Sequence, residues 1–195
     1  MKEVFGKPCV IGIIGDANEG KSNLVYVKLQ QLQKEFVVNI YTYGLRNKLP
    51  NVTEIYSIQE LEEIRNSIIL LDEFQSLFNL EDRHMRKQIE NTLRLIFHNN
   101  NVLVLIGLPD NFRKFISGRL DIIMFKKCTL ADFVNGSTAK NIIMNYSGME
   151  RGSAVLNLKP NEVLIFDGKH YKKEDVPYVE KMDTKRSNEP ILKKK

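Results

Sequence analysis

Apolar residues fall along this chain in short runs between polar segments, and the spacing inside each run predicts its element. Cys9 to Ile14 is an almost unbroken apolar run stopped by Gly15, the pattern of a strand buried on both faces. Val25, Leu29 and Leu32 then recur at helical spacing. Phe36 to Tyr43 is rich in β-branched and aromatic residues and ends at Gly44, which predicts a second strand. Residues 45 to 53, with Pro50 and Asn51, read as a loop, and Ser57-Ile58-Gln59-Glu60 is a capping box that opens a short helix to about Arg65. Ser67 to Asp72 is another buried-strand run and ends in two acids, Asp72 and Glu73. From Glu81 to about His98, Met85, Ile89, Leu93, Ile96 and Phe97 form one apolar helix face, closed by Asn99-Asn100-Asn101. Val102 to Ile106 predicts a fourth strand, Pro109-Asp110-Asn111 opens a short helix, and Asp121 to Phe125 predicts a fifth strand.

Strands alternating with helices imply an α/β fold whose parallel sheet is joined by right-handed crossovers. The last third breaks the alternation. Ser153 to Asn157 and Glu162 to Phe166 read as short strands, and Asp167-Gly168 reads as a hairpin turn leading to His170-Tyr171-Lys172. This predicts a β-appendage on the sheet edge rather than a second domain. The expected organisation is one domain over residues 1–179, with a core at about 8–130 and the appendage at about 150–179. Residues 180–195 are polar and basic, the composition of a disordered tail.

Composition narrows the picture only a little. The 195 residues suffice for one α/β domain, and 43% hydrophobic with 27% charged content is ordinary for a globular chain. A net charge of +5 is compatible with nucleic acid without singling it out. Lys126-Lys127, Lys169, Lys172-Lys173 and the tail supply the positive charge that duplex DNA would need. Two distant cysteines, Cys9 and Cys128, suit a reduced, cytoplasmic protein (host cytoplasm, or a virion for a viral one). No apolar run reaches membrane-spanning length, and His84, His98 and His170 lack metal-ligand spacing.

The candidate chemistry sits where the first strand meets the first helix. Gly15-Asp16-Ala17-Asn18-Glu19-Gly20-Lys21-Ser22 fits the phosphate-loop pattern G-x-x-x-x-G-K-[ST] without a mismatch, between a strand and a helix as that loop requires. Backbone N–H groups and the helix dipole make an anion site there, so residues Gly15 to Asn23 are read as holding ATP. The acidic Asp16 and Glu19 are tolerated because backbone amides, not side chains, cradle the phosphates. Lys21 would reach the β- and γ-phosphates, and Ser22 would place its hydroxyl on Mg²⁺. Asp72, at the end of a buried strand, would be the second Mg²⁺ residue, and Glu73 would orient and deprotonate the attacking water. Glu73 favours hydrolysis over transfer to a small acceptor. A glycine-rich turn with a buried-stem lysine leaves Gly20-Lys21-Ser22 unexplained, and an acid pair capping a turn leaves the joint occurrence of both motifs unexplained.

Leu71-Asp72-Glu73-Phe74-Gln75-Ser76-Leu77 resembles the corresponding acidic-strand context of the FtsK–HerA superfamily of P-loop ATPases, and the resemblance covers roughly residues 8 to 130. It implies a RecA/HerA-like, additional-strand sheet of about five strands, in which a sensor strand lies between the phosphate-loop strand and the Asp72 strand. It further implies a ring oligomer, usually a hexamer, that hydrolyses ATP between subunits and translocates or packages double-stranded DNA, with a capsid or membrane partner as a further expectation. A trans arginine finger is part of that pattern; Arg119, just before the fifth strand, is the first candidate, and Arg94 and Arg113 are weaker ones. The chain departs from the family at the fourth strand's tip. A polar residue, commonly Gln, is usual there, but Ile106-Gly107-Leu108 occupies it, leaving Asp110 or Asn111 as substitutes. Both motifs also suit an AAA-type helper for helicase loading or transposition, or a phage-assembly or export ATPase. A non-catalytic, ATP-gated interaction module is the remaining alternative.

Overall fold

Residues 5–45, 51–78, 83–129 and 149–177 are described in a computed structural model of the chain. The polar tail expected at 180–195 lies outside them. Along the chain run β1 (Cys9–Ile14), α1 (Lys21–Glu35), β2 (Asn39–Tyr43), β3 (Thr53–Glu54), α2 (Ile58–Glu63), β4 (Ser67–Asp72) and α3 (Arg83–His98). They are followed by β5 (Val102–Gly107), α4 (Lys114–Ser117), β6 (Ile122–Phe125), α5 (Met149–Leu156), β7 (Glu162–Phe166) and β8 (Tyr171–Asp175). Short 3-10 turns follow β4 at Phe74–Ser76 and β5 at Pro109–Asn111.

The described strands form one eight-stranded sheet in the order β3-β2-β4-β5-β1-β6-β7-β8. From β3 to β6 every pairing is parallel, and β7 and β8 are added antiparallel. β5 therefore lies between β1 and β4, the additional-strand arrangement expected above. Its register aligns the two acid-bearing and loop-bearing tips: Ile14 pairs with Gly107, and Asp72 with Ile106.

Strand alternation explains why these runs are apolar throughout. Successive side chains point to opposite faces, and each face has its own core. Ile11, Ile13, Ile68, Leu70, Val104 and Ile106 meet Leu24, Leu29 and Leu32 of α1 on one face. Val10, Ile14, Ile69, Leu71, Leu103 and Leu105 meet Leu61 of α2 and Ile89, Leu93 and Ile96 of α3 on the other. A strand covered on both faces has no place for an alternating polar residue.

Several boundaries differ from the sequence reading: Thr53, read as the end of a loop, opens the short edge strand β3, and β5 runs one residue further, to Gly107. β2 begins at Asn39, because Phe36 closes α1 by donating its N–H to Leu32 O at 2.8 Å, and Val37 stands fully exposed in the link. α2 stops at Glu63, with Ile64 already extended, although the capping box at Ser57 and Glu60 forms as expected. The predicted fifth strand starts one residue later, at Ile122, because the Asp121 carboxylate instead accepts the Val10 N–H at 2.8 Å. The larger correction concerns Ser153 to Asn157, which is not a strand: Ser153–Leu156 forms the end of α5, and Asn157 donates to Ser153 O. Val155 and Leu158 are the buried residues there, and their three-residue spacing is helical; a three-residue apolar run is too short to show its period. The predicted appendage is thus the β7–β8 hairpin alone, turning at Asp167, whose Oδ1 accepts the N–H groups of Lys169 and His170.

Candidate active site

The phosphate loop joins the end of β1 to α1, and Gly20 immediately before the helix has φ 78°, a left-handed conformation that favours glycine. Lys21 and Ser22 thereby become the first residues of α1. The Lys21 Nζ donates to the carbonyls of Gly15 at 3.0 Å and Asp16 at 2.7 Å, so the ammonium is folded across the mouth of its own loop. Burial pulls its pKa below the usual lysine value, while Asp72 and Asp16 pull it back up. A cation held only by backbone carbonyls, in a loop opening on a helix N-terminus, is arranged to receive an anion.

Asp72 faces it from the tip of β4. The Ser22 hydroxyl donates to Asp72 Oδ2 at 3.2 Å, and Asp72 Oδ1 accepts the Glu73 N–H at 3.0 Å. Burial raises the Asp72 pKa, and the Ser22 hydroxyl opposes the rise. A hydroxyl and a carboxylate brought together beside a phosphate loop are hard oxygen donors, the set that suits Mg²⁺ with phosphate. The residues present therefore fit that ion.

Glu73 is exposed and left-handed, at φ 52° and ψ 42°. A non-glycine residue in that region carries a conformational cost. The geometry is fixed from behind. Glu73 O accepts the Ser76 N–H at 2.9 Å and the Ser76 hydroxyl at 2.8 Å, and Ser76 Oγ lies 3.2 Å from Tyr43 Oη at the end of β2. Gly44 completes the brace: a Cβ there would lie 2.2 Å from Asp72 O, so any other residue would push the acidic tip aside. Tyr43, Gly44 and Ser76 are supporting residues that sequence reasoning missed. The only available signal was a glycine ending a strand, which usually marks just a turn.

At the tip of β5 the expected polar side chain is replaced by space. Asn111 fills it, with Nδ2 3.3 Å from where a Gly107 Cβ would be, beside Phe74 and Phe112. Asp110 is exposed. Of the two substitutes, Asn111 is the one whose side chain reaches the strand tip.

Other residues separate from the site. Arg119 precedes β6 at the end of the sheet where β1 begins, with Asp121 N–H bonded to Val10 O, so it stands opposite its own Lys21. There Arg119 and Arg94 border a surface cleft with Phe97 and His98. The basic set proposed for DNA loses one member, because Lys126 is 1% exposed with its ammonium on the carbonyls of Pro160 and Glu162. Lys172 and Lys173 stay largely exposed but are paired with Glu174 and Glu162. Among the described residues no cluster of His, Cys, Asp or Glu has the form of a separate metal site, and no helix is long and apolar enough to cross a membrane.

No family model and no curated protein matches the sequence. Solved structures do match. The genome-packaging NTPase B204 of Sulfolobus turreted icosahedral virus 2, in complex with sulfate, superposes at a TM-score of 0.63 with 15% identity, covering 87% of this chain and 97% of that one. The DNA-packaging ATPase B204 of Sulfolobus turreted icosahedral virus gives 0.63 and 15%, covering 88% and 99%. EssC of Geobacillus thermodenitrificans (its ATPases 2 and 3) gives 0.53 and 15%, covering 89% of this chain and 37% of that one. At such identities the likeness is one of fold. With β5 inserted between the loop strand and the acid strand, the chain has the P-loop ATPase fold seen in B204.

Proposed function

We propose that the chain is an ATPase that uses hydrolysis to translocate or package double-stranded DNA as a ring oligomer, most simply a hexamer. The observation that carries the hydrolytic part is the convergence of Lys21, Ser22, Asp72 and Glu73 at the tips of β1 and β4, the two strands that flank β5. Backbone N–H groups from Asn18 to Asn23 would cradle the phosphates, and Lys21 would leave the Gly15 and Asp16 carbonyls to meet their charge. Ser22 and Asp72 would hold Mg²⁺, which when bound neutralises charge on the phosphate oxygens. Glu73 orients the attacking water and takes its proton. Arg119 serves a neighbouring subunit's site, since it lies at the wrong end of the sheet for its own.

The DNA assignment draws support from the packaging enzymes of like fold, whose length this chain nearly matches, and the ring assignment from the resemblance of the Asp72 context. The test of the hydrolytic reading separates binding from chemistry. Lys21→Ala should lose most ATP affinity. Glu73→Gln should bind ATP normally and hydrolyse it about 10²–10⁴-fold more slowly, the usual worth of a general base. Wild-type turnover by Glu73→Gln would remove Glu73 from the mechanism.

A further inference from the structure

Two lysines follow β6 that the sequence treats alike and the structure separates. Lys127 is exposed, whereas Lys126 is 1% exposed. An ammonium taken out of water must find acceptors. Lys126 finds two, Pro160 O and, at 2.8 Å, Glu162 O, both at the start of β7. The Glu162 side chain is itself tied to the hairpin, accepting the Lys159 N–H and pairing with Lys173 at 2.7 Å.

The other side of Lys126 is pressed against the phosphate loop. Its N–H donates to Ile14 O at 2.7 Å, and the next carbonyl, of Lys127, accepts the Asp16 N–H at 2.9 Å. Its Cβ lies 2.6 Å from where a Gly15 Cβ would stand, so the loop and this residue meet backbone to side chain with no room between. Its Nζ comes within 3.8 Å of the corresponding point at Gly20, and Pro160 O within 3.6 Å of it. Both glycines of the loop thus touch a residue whose charged end anchors β7. Burial lowers the pKa of Lys126, and Glu19 in the loop and Glu162 in the hairpin oppose that from opposite sides.

We propose that Lys126 is a positioning residue of the nucleotide site that couples the β7–β8 hairpin to occupancy of the phosphate loop. Its ammonium holds the start of β7 against Gly20, and its stem sets the approach of β6 to Gly15. The inference rests on the ATP-binding reading above. Coupling between two sites is reciprocal. If the anchored hairpin keeps the loop in its phosphate-receiving shape, bound nucleotide must in turn hold the hairpin more firmly. A lysine that was merely a satisfied buried cation would stabilise the fold without linking the two.

The test uses the full chain and amide hydrogen exchange with and without ATP-γ-S. In the wild type, amides of Glu162–Phe166 should gain protection on nucleotide binding beyond that gained by Asn39–Tyr43 at the far side of the sheet. Lys126→Met keeps the stem and removes the charge. It should weaken ATP-γ-S binding about tenfold, in the range usual for coupled sites, and abolish the selective protection of β7. If Lys126→Met does not fold, the wild-type exchange pattern alone decides. A wild type that does not bind nucleotide overturns both readings. A wild type that binds it without selective protection of β7 overturns this one only, as does a folded Lys126→Met with unchanged affinity.

Discussion

Glu73 shows how a single residue can be held away from its own preference. Its left-handed backbone is disfavoured by about 1–2 kcal/mol for a residue with a Cβ, and the bonds from Ser76 to its carbonyl keep it there. Strain retained at a chemically important position is expected when the geometry serves the reaction rather than stability. Glu73→Gly should therefore unfold at a denaturant midpoint no lower than that of the wild type, since glycine accepts this conformation without cost. Its ATP turnover should nonetheless fall about 10²–10⁴-fold, because the base is gone. A clear loss of stability in Glu73→Gly would show that the side chain, not the turn, supports the fold.

Among the elements, the β7–β8 hairpin is the addition to an otherwise parallel α/β sheet. It is tied to the sheet by antiparallel pairing with β6, and to α1 by Lys28 and Glu174 at 2.7 Å. The ring of Phe166 stacks on Tyr171 at a centroid separation of 4.4 Å across the turn. Hydrogen bonds from Lys172 and then Lys28 hold the Glu174 carboxyl below its usual value. For an acid whose folded pKa is depressed, the stabilisation is present above the unfolded value and disappears as pH falls through the folded one. Glu174→Gln should accordingly lower the melting temperature modestly at neutral pH. Thermal melts from neutral to acidic pH should show that difference closing as the carboxylate range is crossed. High salt should shrink it too, because the pair is partly exposed.

For the whole molecule, the sheet has a phosphate-loop end and an arginine end. Lys21 and Arg119 lie at opposite ends, so any joint action requires two copies of the chain. ATPase activity per subunit should rise with protein concentration. Mixtures of Lys21→Ala and Arg119→Ala subunits should recover activity at interfaces where an intact loop meets an intact arginine. Activity that stays simply additive across mixing ratios would remove Arg119 from the site. If the work done is on DNA, duplex DNA should stimulate hydrolysis with little sequence preference. Its affinity should fall steeply with salt as counterions are released. Removing residues 181–195 should weaken DNA binding while basal hydrolysis persists. No stimulation at low salt by any DNA would favour a protein-remodelling ATPase.

The sequence by itself determined the parts of this protein that depend on local order. Glycine spacing around Lys21 and Ser22, an apolar run ending in Asp72, and the helical stripe from Met85 to Ile96 each carry their period or motif within about fifteen residues, so their elements could be read directly. Strand order was not contained there, since parallel strands are paired through crossovers that leave no local mark; the family resemblance supplied that expectation. Ser153 to Asn157 was misread for a related reason: its helical spacing appears only when Leu158 is seen to share a core with Val155. Tertiary structure alone decided what stands beside the motifs. Asn111 fills the place left by Gly107, Tyr43 and Ser76 brace Glu73, and one lysine of an adjacent pair is buried against the phosphate loop. Apart from Asn111, which lies close to Gly107 in sequence, these are contacts between segments distant in sequence, and only the folded sheet brings them to one edge.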